Sequence, residues 1–229
     1  MKPSPIREFG LRALLWLPLA FVVWFRFAPF WVWPAVVIAR KVMLGIWGNL
    51  FSGVVQGAEL LDATGHVVAR AGYLVQLTTT VMVTVPAGPN GPGGVGVLEP
   101  TINPMIYAYA LPLFGGLVMA TPLSTSRRLL QFAIALVVIW TTQAFGIVAE
   151  SLKTLAFDAG NEGAAAISGA GLAPNAIALA YQFGYLILPA VVSVALWIGL
   201  NRAFIQTLVR PVGEPQARDM GPKSIRNQD

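Results

Sequence analysis

Ser151 and Lys153, two positions apart, are the residues of this sequence that most resemble a catalytic pair, because serine–lysine dyads join a nucleophile to a base. Residues two apart on a helix point to different sides, so these side chains are not expected to meet. Glu150 and Asp158 flank them. We interpret the group as a solvated ion pair at the edge of an apolar segment, and we predict no catalytic residue.

His66, the only histidine, is the other candidate for acid–base or metal chemistry. The chain contains no cysteine, so no second imidazole or thiolate is present to complete a transition-metal site. We predict that His66 is a strand residue beside a turn, and that the protein has no metal site and no cofactor. The glycine-rich segment 88–94 lacks a phosphate-binding lysine and a following helix, which indicates a turn rather than a nucleotide-binding loop.

Polar side chains also occur within long apolar segments. They are Gln131, Thr141, Thr142 and Gln143 in one segment, and Tyr181, Gln182 and Tyr185 in a later one. Such residues either line a polar pathway or form hydrogen bonds between neighbouring helices. We predict interhelical hydrogen bonds and keep the polar pathway as the alternative.

The composition indicates a membrane protein. Of the 229 residues, 56% are hydrophobic and 11% are charged, whereas soluble domains are usually about 25% charged. So few charged groups would not cover a globular surface, but a lipid bilayer accepts apolar surface directly. The net charge of +5 comes without a Lys/Arg run interleaved with aromatic residues, so no nucleic-acid partner is expected.

The pattern predicts an α-helical polytopic fold with about four transmembrane helices, each long enough to cross about 30 Å of hydrocarbon. We place them at residues 11–33, 103–121, 128–148 and 174–200. The first lacks a cleavage site and is predicted to be a signal-anchor. Residues 34–55 carry Arg40 and Lys41 in an apolar context, which favours an interfacial helix or an extension of the first helix. Pro112 and Pro189 predict kinks.

Between the first two predicted spans the pattern changes to strand-like alternation. In residues 75–85 alternate positions hold mostly branched, apolar side chains, which is typical of a half-buried strand. Residues 63–65 favour a hairpin turn, and residues 86–94 form a turn-rich connector. We predict a small antiparallel β element of three or four strands over residues 56–100.

Basic residues beside membrane spans are retained in the cytoplasm, so their distribution predicts the orientation. With residues 1–10 in the cytoplasm, ten basic residues lie on that side and five on the other. The five are Arg26, Arg40, Lys41, Arg70 and Lys153. We therefore predict cytoplasmic termini, an extracytoplasmic β element and a mobile extracytoplasmic loop at 149–173. The basic, proline-containing segment 201–229 is predicted to be a disordered cytoplasmic tail.

Three stretches are similar to one known family. They are residues 103–113 (NPMIYAYALPL), residues 143–146 (QAFG) with 152–160, and residues 176–189 (AIALAYQFGYLILP) with 201–204 (NRAF). In these stretches the chain resembles the exosortase H-associated membrane proteins of Gram-negative bacteria. The resemblance implies an accessory protein beside an exosortase, a transpeptidase-like membrane enzyme that processes C-terminally tagged exported proteins. Exosortases are expected to use a Cys, Arg and His set, and this chain has no cysteine.

We therefore expect a non-enzymatic accessory or scaffold protein of the bacterial inner membrane, with an exosortase or its exported substrate as partner. The edge of the β element is suited to accept an extended peptide by strand addition. Two alternatives stay open. One is a small transporter or channel subunit, suggested by the polar residues in the spans. The other is a membrane-embedded hydrolase built on Ser151, Lys153 and His66.

Overall fold

The computed structural model describes residues 4–61, 66–85 and 93–209. Its helices are α1 (Pro5–Arg26), α2 (Ala28–Ile46), α3 (Met105–Ala108), α4 (Ala110–Ala120), α5 (Thr125–Lys153), α6 (Gly160–Gly169), α7 (Pro174–Gln182), α8 (Leu188–Leu200) and α9 (Arg202–Val209). Two π-helical segments, π1 (Thr154–Asp158) and π2 (Phe183–Ile187), follow α5 and α7. The strands are β1 (Phe51–Leu61), β2 (Val67–Thr79), β3 (Met82–Val85), β4 (Gly94–Val97) and β5 (Thr101–Ile102).

The first apolar stretch folds into two helices rather than one. α1 ends at Arg26, because Pro29 has no N–H to donate to the carbonyl of Phe25 four residues earlier. Pro29 instead lies in the first turn of α2, where a missing N–H costs nothing. The predicted helix end at residue 33 is therefore corrected to Arg26, and the next helix begins at Ala28.

α2 presents one apolar face to the rest of the protein. Its buried residues recur at helical spacing and are Ala28, Val32, Ala35, Val36, Ala39 and Met43. This face packs on β1 and β2 and on α5. Arg40 and Lys41 lie on the exposed side, so the two charges stay out of the core.

A three-stranded antiparallel sheet with the order β1–β2–β5 lies against α2. Val54 pairs with Leu77, and Gln56 pairs with Val75. Val75 and Leu77 are buried, as the alternating pattern predicted, and Val54 opposite Leu77 is buried as well. β1 has an irregularity at Gly57, whose φ of 97° favours glycine. β3 and β4 form a separate antiparallel pair. The predicted small antiparallel β element is confirmed.

Some predicted boundaries differ from those in the structure, and other predicted segments fall on residues that the structure does not describe. β1 begins at Phe51, five residues before the predicted start of the β element. The predicted turn at 63–65 and most of the predicted connector, residues 86–92, lie outside the described residues. The predicted disordered tail begins as helix α9, and its residues from 210 onwards also lie outside the described part.

Four helices are long and apolar enough to cross a membrane, which confirms the predicted number. They are Pro5–Arg26, Ala28–Ile46, Thr125–Asp158 and Pro174–Leu200. This set includes α2, which was predicted to lie at the surface or beyond the membrane. It leaves out the predicted span 103–121, whose apolar helical part is the shorter Met105–Ala120. By this count the sheet follows the second candidate span, whereas the prediction placed it after the first.

Side-chain packing divides the molecule into two apolar cores. The helical core joins α1, α4, α5 and α8, with Phe114 and Val118 buried at its centre. The sheet core joins α2, the sheet, the C-terminal half of α5 and α6, around Met43, Leu77 and Leu155. α5 contributes to both cores, because its 29 residues make a helix about 44 Å long.

Residues 149–173 are largely helical, which corrects the prediction of a mobile loop. α5 and π1 continue to Asp158, and α6 follows. Ile167 of α6 is buried in the sheet core. Gly163 lies so close to the Leu155 carbonyl that an added Cβ would overlap it. Close packing thus orders a stretch whose small residues suggested a linker.

Both predicted proline kinks coincide with interruptions of a helix. Pro112 cannot donate to the carbonyl of Ala108, and α3 ends at that residue. Pro189 likewise cannot donate to the carbonyl of Tyr185, which lies in π2. The missing hydrogen bonds therefore explain where the backbone departs from a regular α-helix.

Candidate functional site

Three tyrosines and a carboxylate meet where α3, α5, α7 and π2 come together. Tyr107 lies on α3, Glu150 on α5, Tyr181 on α7 and Tyr185 in π2. The ring centroids of Tyr107 and Tyr185 are 6.5 Å apart in an edge-on arrangement, and those of Tyr181 and Tyr185 are 6.0 Å apart in a stack. We call these four residues the tyrosine–carboxylate cluster and treat it as the candidate site.

Tyr107 is the buried centre of the cluster, with 1% of its surface exposed. Its ring lies against Gly146 of α5, where an added Cβ would overlap the ring atoms. A Cβ added at Gly184 of π2 would lie 3.4 Å from the Cα of Gly146. The two glycines therefore allow α3, α5 and π2 to approach closely, as small residues do between membrane helices.

Glu150 brings a carboxylate into this packed region. Its Oε2 atom and the Tyr107 hydroxyl are both buried, and neither has a hydrogen-bond partner of good geometry among the described residues. The two groups are close enough to interact, and the backbone of Asn103 also faces the carboxyl group. Buried polar atoms are nearly always hydrogen-bonded in folded proteins, and here the hydroxyl and the carboxyl group are placed to satisfy each other.

Lys153 forms its salt bridge with Asp158 rather than with Glu150. The Lys153 ammonium lies 2.6 Å from Oδ2 of Asp158 and 5.5 Å from the centroid of the Tyr181 ring. Among the described residues Glu150 takes part in no salt bridge. The ion pair predicted from the sequence is therefore formed by Lys153 and Asp158, and Glu150 interacts with the Lys153 charge at longer range.

Two π-helical segments border the cluster. π1 begins four residues after Glu150, and π2 contains Tyr185. π-helical turns are rare and are found frequently at functional sites. Their presence on both sides of one buried carboxylate supports the choice of this region as the candidate site.

The residues considered for catalysis do not assemble. Ser151 is buried, and its hydroxyl donates to the carbonyl of Ile147 at 2.8 Å, while the Lys153 ammonium is directed to Asp158. His66 is exposed just before β2. Within the described residues no three His, Asp or Glu side chains are grouped so that they could hold a metal ion.

Sequence reasoning did not select Tyr107 as a site residue. Tyr107 and Glu150 are distant in the sequence, so no local spacing indicates their contact. The available signal was weaker: Tyr107 belongs to one of the stretches that resemble the family, and Glu150 ends a long apolar segment. A charge at the end of such a segment is ordinary until its partner is known.

At the other end of α5, two side-chain amides join α5 to the end of α8. Nε2 of Gln131 donates to Oδ1 of Asn201 at 3.0 Å, and Nδ2 of Asn201 donates to Oε1 of Gln131 at 3.1 Å. Both residues are buried. Gln131 thus forms an interhelical hydrogen bond of the kind predicted, with a partner that the sequence did not indicate.

Asn201→Leu is expected to destabilise the protein by about 1 to 3 kcal/mol, because the buried Gln131 amide loses both side-chain bonds to Asn201 and keeps only the contact with the Leu200 carbonyl. Thermal unfolding in detergent measures this loss. The double variant with Gln131→Leu should lose less than the sum of the two single variants. Thr141→Val is the control, since the exposed Thr141 hydroxyl bonds only to its own helix. Additive losses would contradict the paired arrangement.

The other polar residues of the spans are satisfied in different ways. The hydroxyls of Thr141 and Thr142 donate to carbonyls four residues earlier on α5, at 2.8 and 2.9 Å. Gln143 is buried and donates to the carbonyl of Pro104 at 3.4 Å. Gln182 is exposed. Of these four residues only Gln143 reaches another segment, so the predicted interhelical hydrogen bonds are wrong for the two threonines, which bond within α5.

The fold and site define a polytopic helical membrane protein with a small antiparallel sheet and a buried polar cluster. Residues 3–204 match the family described as exosortase H-associated membrane protein. This match covers most of the 229 residues, so the chain belongs to that family, and the resemblance found in the sequence is confirmed. No curated protein and no solved structure matches the chain significantly.

Proposed function

We propose that this protein is a non-enzymatic accessory of the bacterial inner membrane that assists an exosortase in sorting C-terminally tagged exported proteins. The observation that carries the proposal is the family match over residues 3–204. The absence of cysteine from the sequence and the separation of Ser151 from Lys153 support a role other than catalysis. A transporter is less well supported, because the buried amides of Gln131 and Gln143 are engaged in hydrogen bonds.

The proposed arrangement places α1, α3–α4, α5 and α7–α8 across the bilayer, with both termini in the cytoplasm. The packing of α1, α4, α5 and α8 around one helical core supports this choice. α2, the sheet and α6 belong to the sheet core and would lie outside the cytoplasm. The ten basic residues on the cytoplasmic side agree with the retention of positive charge there.

In this arrangement β1 presents an edge suited to an extended peptide. Among the described strands β1 pairs only with β2, although it runs from Phe51 to Leu61. An unpaired edge offers a row of N–H and C=O groups to a further strand. Val55, on this strand, is 56% exposed. We propose that a segment of the exosortase or of its exported substrate adds to this edge.

Val55→Lys tests the proposed edge, because a lysine on an edge strand disfavours the addition of another strand. We expect the variant to recover at least about fivefold less exosortase or tagged substrate when it is purified from its native membrane in mild detergent. Mass spectrometry of the bound proteins measures the recovery. Val95→Lys is the matched control, since Val95 is 73% exposed on β4, in the separate β3–β4 pair.

The possible results distinguish the contact at the β1 edge from the accessory role. Equal recovery with Val55→Lys and wild type would remove the edge as the contact and leave the accessory role in place. Recovery of transport components instead of an exosortase would contradict the accessory role itself. Loss with both lysine variants would show a general effect of charge on the β element rather than strand addition.

A further inference from the structure

A cavity of about 410 Å³ lies between α1, α4 and α5 and is partly open to the surface. Both α1 and α5 pack on α4, and the walls of the cavity include Ala20 of α1, Gly115 of α4 and Phe132 of α5. Its volume falls in the range of about 300 to 1,000 Å³ that is usual for small-molecule sites. The cavity contains neither residues of the tyrosine–carboxylate cluster nor residues of β1, so it is a separate candidate site.

The walls of this cavity suit a hydrocarbon chain. All the residues that line it are apolar, and an apolar cavity excludes water. The cavity follows α1 from Trp16 to Trp24, a rise of about 12 Å, which is close to the roughly 15 Å of a single hydrocarbon leaflet. Inside a bilayer a lipid chain is held in such a groove by the van der Waals contacts that it makes with the walls. A lipid acyl chain therefore matches the cavity in polarity and in length.

Arg26 lies just beyond one end of the cavity. Leu19, Val23 and Arg26 are four and three residues apart, which places them on one face of α1. Leu19 and Val23 line the cavity, so Arg26 follows it by one turn. The guanidinium lies 5.7 Å from the centroid of the Phe27 ring, is exposed, and forms no salt bridge with the described residues. The 22 residues of α1 rise about 33 Å, so a spanning α1 places this positive charge at the membrane interface.

We propose that the cavity binds an anionic phospholipid, with one acyl chain between α1 and α5 and the phosphate group on Arg26. Arginine binds phosphate with two parallel hydrogen bonds. In a bilayer the phosphate of a lipid lies at the interface above its own chains, which is the position of Arg26 relative to the cavity. The site rests on the packing of α1, α4 and α5 and not on an exosortase, so either proposal can fail without the other.

Titration of the delipidated protein tests this site without any substitution. Thermal unfolding in detergent is followed while phosphatidylglycerol, which is anionic, is added, or phosphatidylcholine with the same chains and no net charge. Phosphatidylglycerol should raise the unfolding temperature along a saturable curve, because a ligand that binds only the folded state stabilises it. Phosphatidylcholine should need at least about fivefold more lipid for half of the rise. No saturable rise, or the same curve with both lipids, would overturn the proposal.

Two variants locate the lipid on the protein. Ala20→Phe fills the cavity and should retain at least about fivefold less phosphatidylglycerol after purification, as counted by native mass spectrometry. Arg26→Gln, at an exposed position, should lower the ratio of bound phosphatidylglycerol to bound zwitterionic lipid at least about threefold. Ala133→Phe is the matched control, since Ala133 is exposed on α5 and lies outside the cavity.

The results distinguish a lipid site from general contact with the bilayer. Equal retention by Ala20→Phe and wild type would overturn the placement of the chain, and a loss shared with Ala133→Phe would overturn the site itself. If Ala20→Phe kept its lipid but lost a bound membrane protein, the cavity would hold a side chain of that partner instead. An unchanged lipid ratio in Arg26→Gln would overturn the phosphate contact, and this result does not depend on whether Ala20→Phe folds.

Discussion

Gly146→Ala is expected to destabilise the protein by about 2 to 3 kcal/mol, the upper part of the usual cost of overpacking. The added methyl group would overlap the ring of Tyr107. That ring has little room to move, because Tyr107 is 1% exposed and packs against Tyr185. Either α3 shifts away from α5 or the ring leaves its preferred rotamer, and both disturb the site around Glu150.

The loss is measured by thermal unfolding in detergent against two references. Gly199→Ala places the same methyl group on α8, where nothing lies within 4 Å, and should leave stability unchanged or slightly raised. Tyr107→Ala combined with Gly146→Ala removes the overlapping ring, so the double variant should lose less than the sum of the single variants. A Gly146→Ala protein as stable as wild type would show that the two helices are not in close contact at this point.

The alternation of residues 75–85 predicted one strand, and the structure divides this stretch between β2, which ends at Thr79, and β3, which begins at Met82 in the separate pair. The extended conformation itself was predictable because its cause is local. Side chains of a strand point alternately to its two faces, so a half-buried strand must alternate in its sequence. Val75 and Leu77 are buried as this rule requires. Arg40 and Lys41 favour a helix at the membrane surface, because charges in a hydrocarbon interior are costly, and this stays a prediction since α2 is among the helices long and apolar enough to cross.

The ordered segment after α5 could not be predicted in the same way. Residues 160–171 are mostly small, which suggested a linker. Their order depends on contacts with distant residues: Ile167 is buried in the sheet core, and Gly163 fits against the Leu155 carbonyl. The exact fit of a glycine to another segment is a property of the folded chain and leaves no periodic trace in the sequence.

The candidate site could not be predicted from the sequence for a related reason. The separation of the Ser151 and Lys153 side chains was predictable from their spacing, because two positions on one helix have a known angular separation. The contact between Tyr107 and Glu150 joins two helices whose relative position follows from packing. Gly146 and Gly184 permit the close approach of the helices, but their residue type alone does not indicate which segments they face.

Labelling of single cysteines is expected to show that α2 lies outside the bilayer and that α3–α4 crosses it. Placing α2 across the membrane would bury Arg40 and Lys41 at a combined cost of about 5 to 7 kcal/mol near the bilayer centre. It would also draw the sheet, which packs on the buried face of α2, towards the hydrocarbon, where open strand edges are not tolerated.

Placing α3–α4 across the bilayer costs less than placing α2 across it. Met105–Ala120 rises about 24 Å as a helix, roughly 6 Å less than the hydrocarbon thickness. Each ångström of mismatch costs a fraction of a kcal/mol, so the total is at most a few kcal/mol. Phe114 and Val118 are moreover buried in the helical core, and that core would be lost if α4 left the bilayer.

The native chain contains no cysteine, so an introduced thiol is the only target of a membrane-impermeant maleimide. Arg40→Cys on α2 and Val95→Cys on β4 should be labelled in intact spheroplasts, because both positions are exposed and are proposed to lie outside. Arg127→Cys, near the start of α5, should be labelled only after the membrane is broken. Protection of Arg40→Cys in both conditions would place α2 in the bilayer. Labelling of Val95→Cys only after lysis would place the sheet in the cytoplasm and reverse the orientation on which the edge-strand contact depends.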